Sequence, residues 1–147
     1  MDKIATLCFL LAVGAVVVLP NFVFGRDVAK PCSQRDHLKI ASLSIYPDPL
    51  PDSSRVEEWR LRLRSDGKEA CQIPIRIVEV ERDVVVAESA AVVEAGANEI
   101  TLAPAPDYRF ATDTRCFVVV ASTDRKIQIE GPKAFCALHI DNWWTMR

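Results

Sequence analysis

From Leu38 onward the chain is patterned in twos. In VEEWRLRLR, residues 56–64, Trp59, Leu61 and Leu63 alternate with Arg60, Arg62 and Arg64. Successive side chains of a strand point to opposite faces, so this period turns the apolar set inward and three arginines outward. It predicts a half-buried antiparallel strand. CQIPIRIVEVE alternates likewise, with Cys71, Ile73, Ile75 and Ile77 in one phase. Pro74 falls in the other phase and has no N–H for a ladder, which predicts an edge strand or a local bulge. In LKIASLSIY, Leu38 and Ile40 share one phase and Leu43 and Ile45 the opposite one. A bulge near Ala41 or Ser42 reconciles them.

The remaining runs are shorter. AESAAVVEA contains helix formers, but its flanking valines and the Ala-Gly-Ala-Asn turn favour two short strands, around Val84 to Ala87 and Ile100 to Leu102, with Ala91 to Val93 unassigned. CFVVVA is wholly apolar and reads as a strand covered on both sides. IQIE alternates Ile127 and Ile129 with polar neighbours. AFCALHI predicts a last strand that buries Ala134, Cys136, Leu138 and Ile140 and turns His139 to solvent. PDPLPDSS, SDGKEA, APAPD and ATDTR separate these runs with turn residues. No segment supplies the crossover helices of a parallel α/β fold. The pattern is that of an all-β, two-sheet antiparallel sandwich or small barrel.

The first residues differ from this. Ile4 to Leu19 is an unbroken apolar run of sixteen behind MDK, followed by PNFVFG and Arg26. It reads as a secretory signal peptide over residues 1–25, with Gly25 at the cleavage edge, leaving one domain over residues 26–147. The alternative is an uncleaved anchor, because Ile4 to Phe24 spans 21 residues, close to the roughly 20 that cross a bilayer. Either way the expected location is secreted or periplasmic, with membrane contact through residues 4–24 if the leader is retained.

Cysteine usage agrees with export. Cys8 lies in the leader, and the other four, Cys32, Cys71, Cys116 and Cys136, form an even set beyond it. In an oxidising compartment they are expected to form two disulfides. Their spacings of 39, 45 and 20 residues lack the short CxxC pairs of a metal site. Three pairings are possible. The preferred one joins Cys71 to Cys116 between sheets and Cys32 to Cys136 between the chain ends.

The segment IYPDPLP through VEEWRLRLRSDG, CQIPIRI and VEAGANEITL resembles the secreted bacterial Ig-like domains called CARDB. In those, an aromatic-bearing strand, a turn and a further strand precede a G-x-N-x-I stretch, which falls here on Gly96, Asn98 and Ile100. The likeness covers about half of the chain and departs from it at the four cysteines and the tryptophan tail. It implies a two-sheet antiparallel Ig-like sandwich of seven or eight short strands with a recognition or scaffolding role. In size, leader and cystines the chain is also similar to the secreted ML lipid-recognition family, but it lacks that family's close early cysteine pair.

Candidate chemistry is sparse. The formal net charge is −2 and no basic block is interleaved with aromatics, so nucleic acid is not an expected partner. No phosphate-binding or dinucleotide loop occurs, and no cofactor is expected. His37 and His139 are the only histidines and lie 102 residues apart, one after SQRD and one in the last strand; with the cysteines expected in cystines, both read as ordinary surface or rim side chains. Asp48, Asp52, Asp107, Asp113 and Asp124 read as turn caps, and Glu79, Glu81 and Glu88 as solvated charges. No catalytic or metal-binding residue is expected. Aromatic residues at segment ends carry the binding expectation: Tyr46, Tyr108, Trp143, Trp144 and Met146. If strand geometry persists through the tail, one tryptophan faces in and the other out. The expected function is a non-enzymatic exported accessory or structural module that binds a protein partner. A lipid or small apolar ligand carrier and an envelope enzyme are the alternatives.

Overall fold

The computed structural model describes residues 29–121 and 129–147. Both readings of the leader and the first part of the IQIE strand lie outside them. The described residues form ten strands: β1 Lys30–Pro31, β2 Leu38–Tyr46, β3 Leu50–Pro51, β4 Glu58–Ser65, β5 Cys71–Glu79, β6 Val84–Val93, β7 Gly96–Leu102, β8 Cys116–Ala121, β9 Phe135–Ile140 and β10 Trp143–Met146. A 3₁₀ turn, Gln34–Asp36, precedes β2; the Asp36 carboxylate accepts the Ser33 backbone N–H at 2.5 Å. Within this region no helix is long and apolar enough to cross a membrane.

Two sheets result. β2, β4 and β7 form an antiparallel three-stranded sheet. The other has seven strands: β5 carries β6 on one side and both β1 and β8 on the other, and β9, β10 and β3 continue from β8. Only β1 runs parallel to its neighbour there. This larger sheet is an open half-barrel, where a closed sandwich of seven or eight strands was expected.

Most of the period-two reading holds. Trp59, Leu61 and Leu63 are buried while Arg62 and Arg64 are exposed, and Cys71, Ile73, Ile75 and Ile77 are all buried. The register of β2 against β4 shifts between Ile40 and Ser42, where the phase changes. The sheets meet in one core around Trp59 of β4, whose ring lies edge-on to Phe117 of β8 with centroids 4.8 Å apart.

Four expectations need correction. Pro74 lies neither on an edge strand nor at a bulge. It pairs with Ala90 on one side, and on the other it falls between the end of β1 and the start of the β8 pairing, where no donor is required. β6 runs unbroken through the alanines to Val93, because β5 pairs along its whole length. β8 is only half-buried beyond Phe117. In β9 the burial phase is reversed: Phe135 and Ala137 face the core, whereas Cys136 and Ile140 are exposed.

The disulfides are Cys32–Cys71 and Cys116–Cys136, so neither preferred pairing forms. The reason is register. Glu79 pairs with Phe117, so Cys116 lies beside Val80, nine residues along β5 from Cys71. At about 3.3 Å per residue that is roughly 30 Å, far beyond disulfide reach. Each cysteine bonds instead to its cross-strand neighbour: Cys32 follows β1 beside the start of β5, and Cys136 stands directly opposite Cys116. Both bonds lie within the seven-stranded sheet, at opposite ends of it.

Candidate functional site at the C-terminal hairpin

Asp141 and Asn142 join β9 to β10 with positive φ values of 49° and 66°. Two consecutive left-handed residues match the right-handed twist of a hairpin, and Asp and Asn tolerate that conformation. The tight turn fixes the register: Trp143 lies opposite Ile140, Trp144 opposite His139 and Met146 opposite Ala137. On its other side β10 pairs with β3, Trp143 with Pro51 and Trp144 with Leu50. Cross-strand partners share a face. One face therefore shows Ile140 and Trp143 to solvent, 55% and 46% exposed, while Leu50, Trp144 and Met146 are buried from the other.

Trp144 ends an aromatic series that begins in the core. Ring centroids are 5.4 Å apart for Phe117 and Phe110, 5.2 Å for Phe110 and Trp144, and 4.4 Å for Trp144 and the stacked His139 imidazole. His139 Nε2 is 2.9 Å from Asp52 Oδ1, and the Asp52 backbone N–H donates to the Asn142 carbonyl at 2.9 Å. Asp52, Ser53, Arg109, Phe110, Thr112, His139 and Trp144 line an open cleft of about 330 Å³. The Arg109 guanidinium closes one wall by donating to the Ser53 carbonyl.

Behind the cleft stands a buried carboxylate. Glu79 is wholly buried at the end of β5. Arg82 donates to its two oxygens through Nε and Nη2, each at 2.5 Å. The Tyr108 hydroxyl donates to Oε2 at 2.6 Å, and Thr114 reaches Oε1 at 3.4 Å. Thr114 also accepts the Ala111 N–H, so one carboxylate organises the segment from Tyr108 to Thr114 that forms the cleft wall. Burial, reinforced by the hydrogen bond to Glu79, pushes the Tyr108 phenol well above its usual range. The Glu79 hydrogen bond holds Arg82 even more firmly protonated than usual. Nearby, slight burial would raise Glu81, but backbone N–H groups led by that of Cys116 hold its carboxyl below the ordinary value.

The expected binding residues are thus divided. Trp143 is at the surface, whereas Trp144 and Met146 anchor the same strand. Tyr108 is buried, its hydroxyl committed to Glu79, and does not stand exposed at a loop edge. Tyr46 is 45% exposed on the three-stranded sheet, beneath the Arg60 guanidinium at 4.9 Å. Glu79 is not a solvated charge; it continues the buried phase of Cys71, Ile73, Ile75 and Ile77, and that phase was the signal for it. Asp52 is more than a turn cap, since folding brings it to His139 across 87 residues of sequence.

His37 is exposed after the 3₁₀ turn, far in sequence from the His139 pair. Among the described residues the one cluster with metal-ligand atoms is Cys32, Asp36 and Cys71. Its sulfurs are joined to each other and offer no thiolate, so it does not fit a metal ion. Comparison with protein-family models, curated proteins and solved structures finds no match for this chain. The CARDB-like resemblance rests on its short motif alone.

Proposed function

We propose that the chain is an exported, non-enzymatic accessory module that binds a protein partner through the tip of the β9–β10 hairpin. The observation that carries this reading is the side-by-side exposure of Ile140 and Trp143 on a tightly turned hairpin. A half-exposed tryptophan beside a second large apolar residue has the composition of an interface anchor. Buried Trp144 and Met146 hold the strand, so presenting this face costs little ordering on binding. Two disulfides support an oxidising compartment and hence export. The order β2-β4-β7 against β6-β5-β8-β9 supports an open variant of the Ig-like layout, widened by β10 and β3.

The carrier reading has less support. Trp59, Tyr108, Phe110 and Phe117 fill the space between the sheets at this end. An enzyme reading would rest on the His139–Asp52 pair, whose imidazole has no hydroxyl or thiol partner among the described residues.

The test is affinity capture from the native compartment with the full chain, comparing the parent with Trp143→Ser, Ile140→Ser and Val92→Ser. Val92 is as exposed as the hairpin pair but lies on β6. Loss of a captured protein with the first two variants and its retention with the third is expected. Equal capture by all four chains, each folded, would exclude the hairpin tip.

A further inference from the structure

The two disulfides differ in access. Cys32 and Cys71 are 0% and 3% exposed inside the core. Cys136 faces solvent on the outer side of β9, and Cys116, opposite it, is half-buried. Thiol–disulfide exchange requires an incoming thiolate to reach a sulfur, so access separates bonds that are otherwise chemically alike.

The exposed bond also sits at a narrow junction of the seven-stranded sheet. β8 and β9 pair over only two positions, Cys116 with Cys136 and Phe117 with Phe135. Beyond that junction β9, β10 and β3 form a unit with its own ties. Four residue pairs join β9 to β10 and two join β10 to β3, and both the His139–Asp52 contact and the Asp52–Asn142 bond are internal to it. Other links cross to the rest of the fold: the Ala137 N–H to the Arg115 carbonyl at 2.7 Å, the Trp144–Phe110 ring contact, the Arg109–Ser53 bond, and the burial of Leu50, Phe135, Ala137, Trp144 and Met146 in the shared core. The disulfide adds a covalent clasp to this two-pair junction.

We propose that Cys116–Cys136 is a site of selective thiol–disulfide exchange whose co-substrate is a dithiol, while Cys32–Cys71 is a permanent structural bond. A thiolate of the dithiol attacks the exposed Cys136 sulfur and forms a mixed disulfide. Cys116 leaves as a thiolate and takes a proton from water. The second thiol of the reductant then displaces Cys136 and closes its own disulfide. Two electrons pass from the dithiol to the protein bond, and both cysteines end as thiols. Release of the clasp loosens the β9–β10–β3 unit and wets Trp144. This inference does not depend on whether the hairpin tip binds a protein.

The test treats the folded full chain with graded dithiothreitol, traps free thiols with iodoacetamide and locates them by peptide mass spectrometry, with tryptophan emission and far-ultraviolet circular dichroism read in parallel. Cys116 and Cys136 are expected to be alkylated at least about 10-fold faster than Cys32 and Cys71, because only they are open to attack. A red shift in emission with strand content retained is expected alongside. Parallel alkylation of all four cysteines, earlier reaction of Cys32 and Cys71, or reduction of Cys116–Cys136 only with global unfolding would each overturn the proposal.

Discussion

Cys32–Cys71 and Cys116–Cys136 both join neighbouring strands of one sheet, yet one closes the core and the other closes a surface. At the first end, β1 is only two residues long and is held to β5 by the bond and the adjoining backbone contacts. At the second, a unit with its own hairpin, His139–Asp52 contact and tryptophans is joined to β8 by two residue pairs and a disulfide and buries Trp144 and Met146 in the shared core. Equal covalent chemistry thus serves unequal ends, a fixed one and one that carries accessible side chains. Exposure, more than the bond itself or the two-pair width that both junctions share, separates the two cystines.

Stability measurements can break this comparison. In the chain-entropy account, loops of 39 and 20 residues make the two disulfides worth about 4 and about 3 kcal/mol. Urea unfolding of Cys32→Ala/Cys71→Ala should therefore show the larger loss, with Cys116→Ala/Cys136→Ala close behind. A much larger loss for the second pair would mean that the hairpin end, not the buried end, holds the fold together.

Glu79→Ala should cost about 3 kcal/mol, because it leaves Arg82, Tyr108 and Thr114 without their shared acceptor. By contrast, Glu99→Ala removes only the exposed ion pair to Arg62 and should cost less than about 0.5 kcal/mol. Tyr108→Phe falls between, at about 1 kcal/mol near neutral pH. It should also change the alkaline limb. A phenol whose folded pKa is raised contributes stability that is intact below its unfolded value of about 10 and is lost as pH climbs beyond it. Unfolding curves of the parent should weaken above that pH, and those of Tyr108→Phe should weaken less. Trp143→Ser, at the surface, should shift stability by under about 0.5 kcal/mol, which makes it a clean probe of binding.

Local pattern made part of this architecture legible. The alternation around Trp59 and around Ile75, and the phase change between Ile40 and Leu43, are short-range signals of side chains meeting one core, and they were read from the sequence. Disulfide partners were not legible, because they depend on the register of β5 against β8, which no residue near Cys71 or Cys116 encodes. The phase of β9 was misjudged because Ala134, Cys136, Leu138 and Ile140 are all apolar. Pairing with outward-facing Cys116 overrides hydrophobicity there. In the candidate site, the split between Trp143 and Trp144 follows from strand alternation. The Asp52–His139 pair is a tertiary fact with no local trace. Glu79 and the Asp141–Asn142 turn did leave traces, one in phase and one in residue type, that charge and tail position concealed.

The central proposal is that the hairpin tip, and not the exposed face of β6, meets a protein partner. Site-specific photo-cross-linking tests it most directly, with a benzophenone side chain placed at position 143 or at position 92 of the full chain in its native compartment. The account predicts a discrete cross-linked protein from position 143 and none from position 92. An adduct of the same mass from both positions, or none from 143 in a folded and oxidised chain, would contradict it.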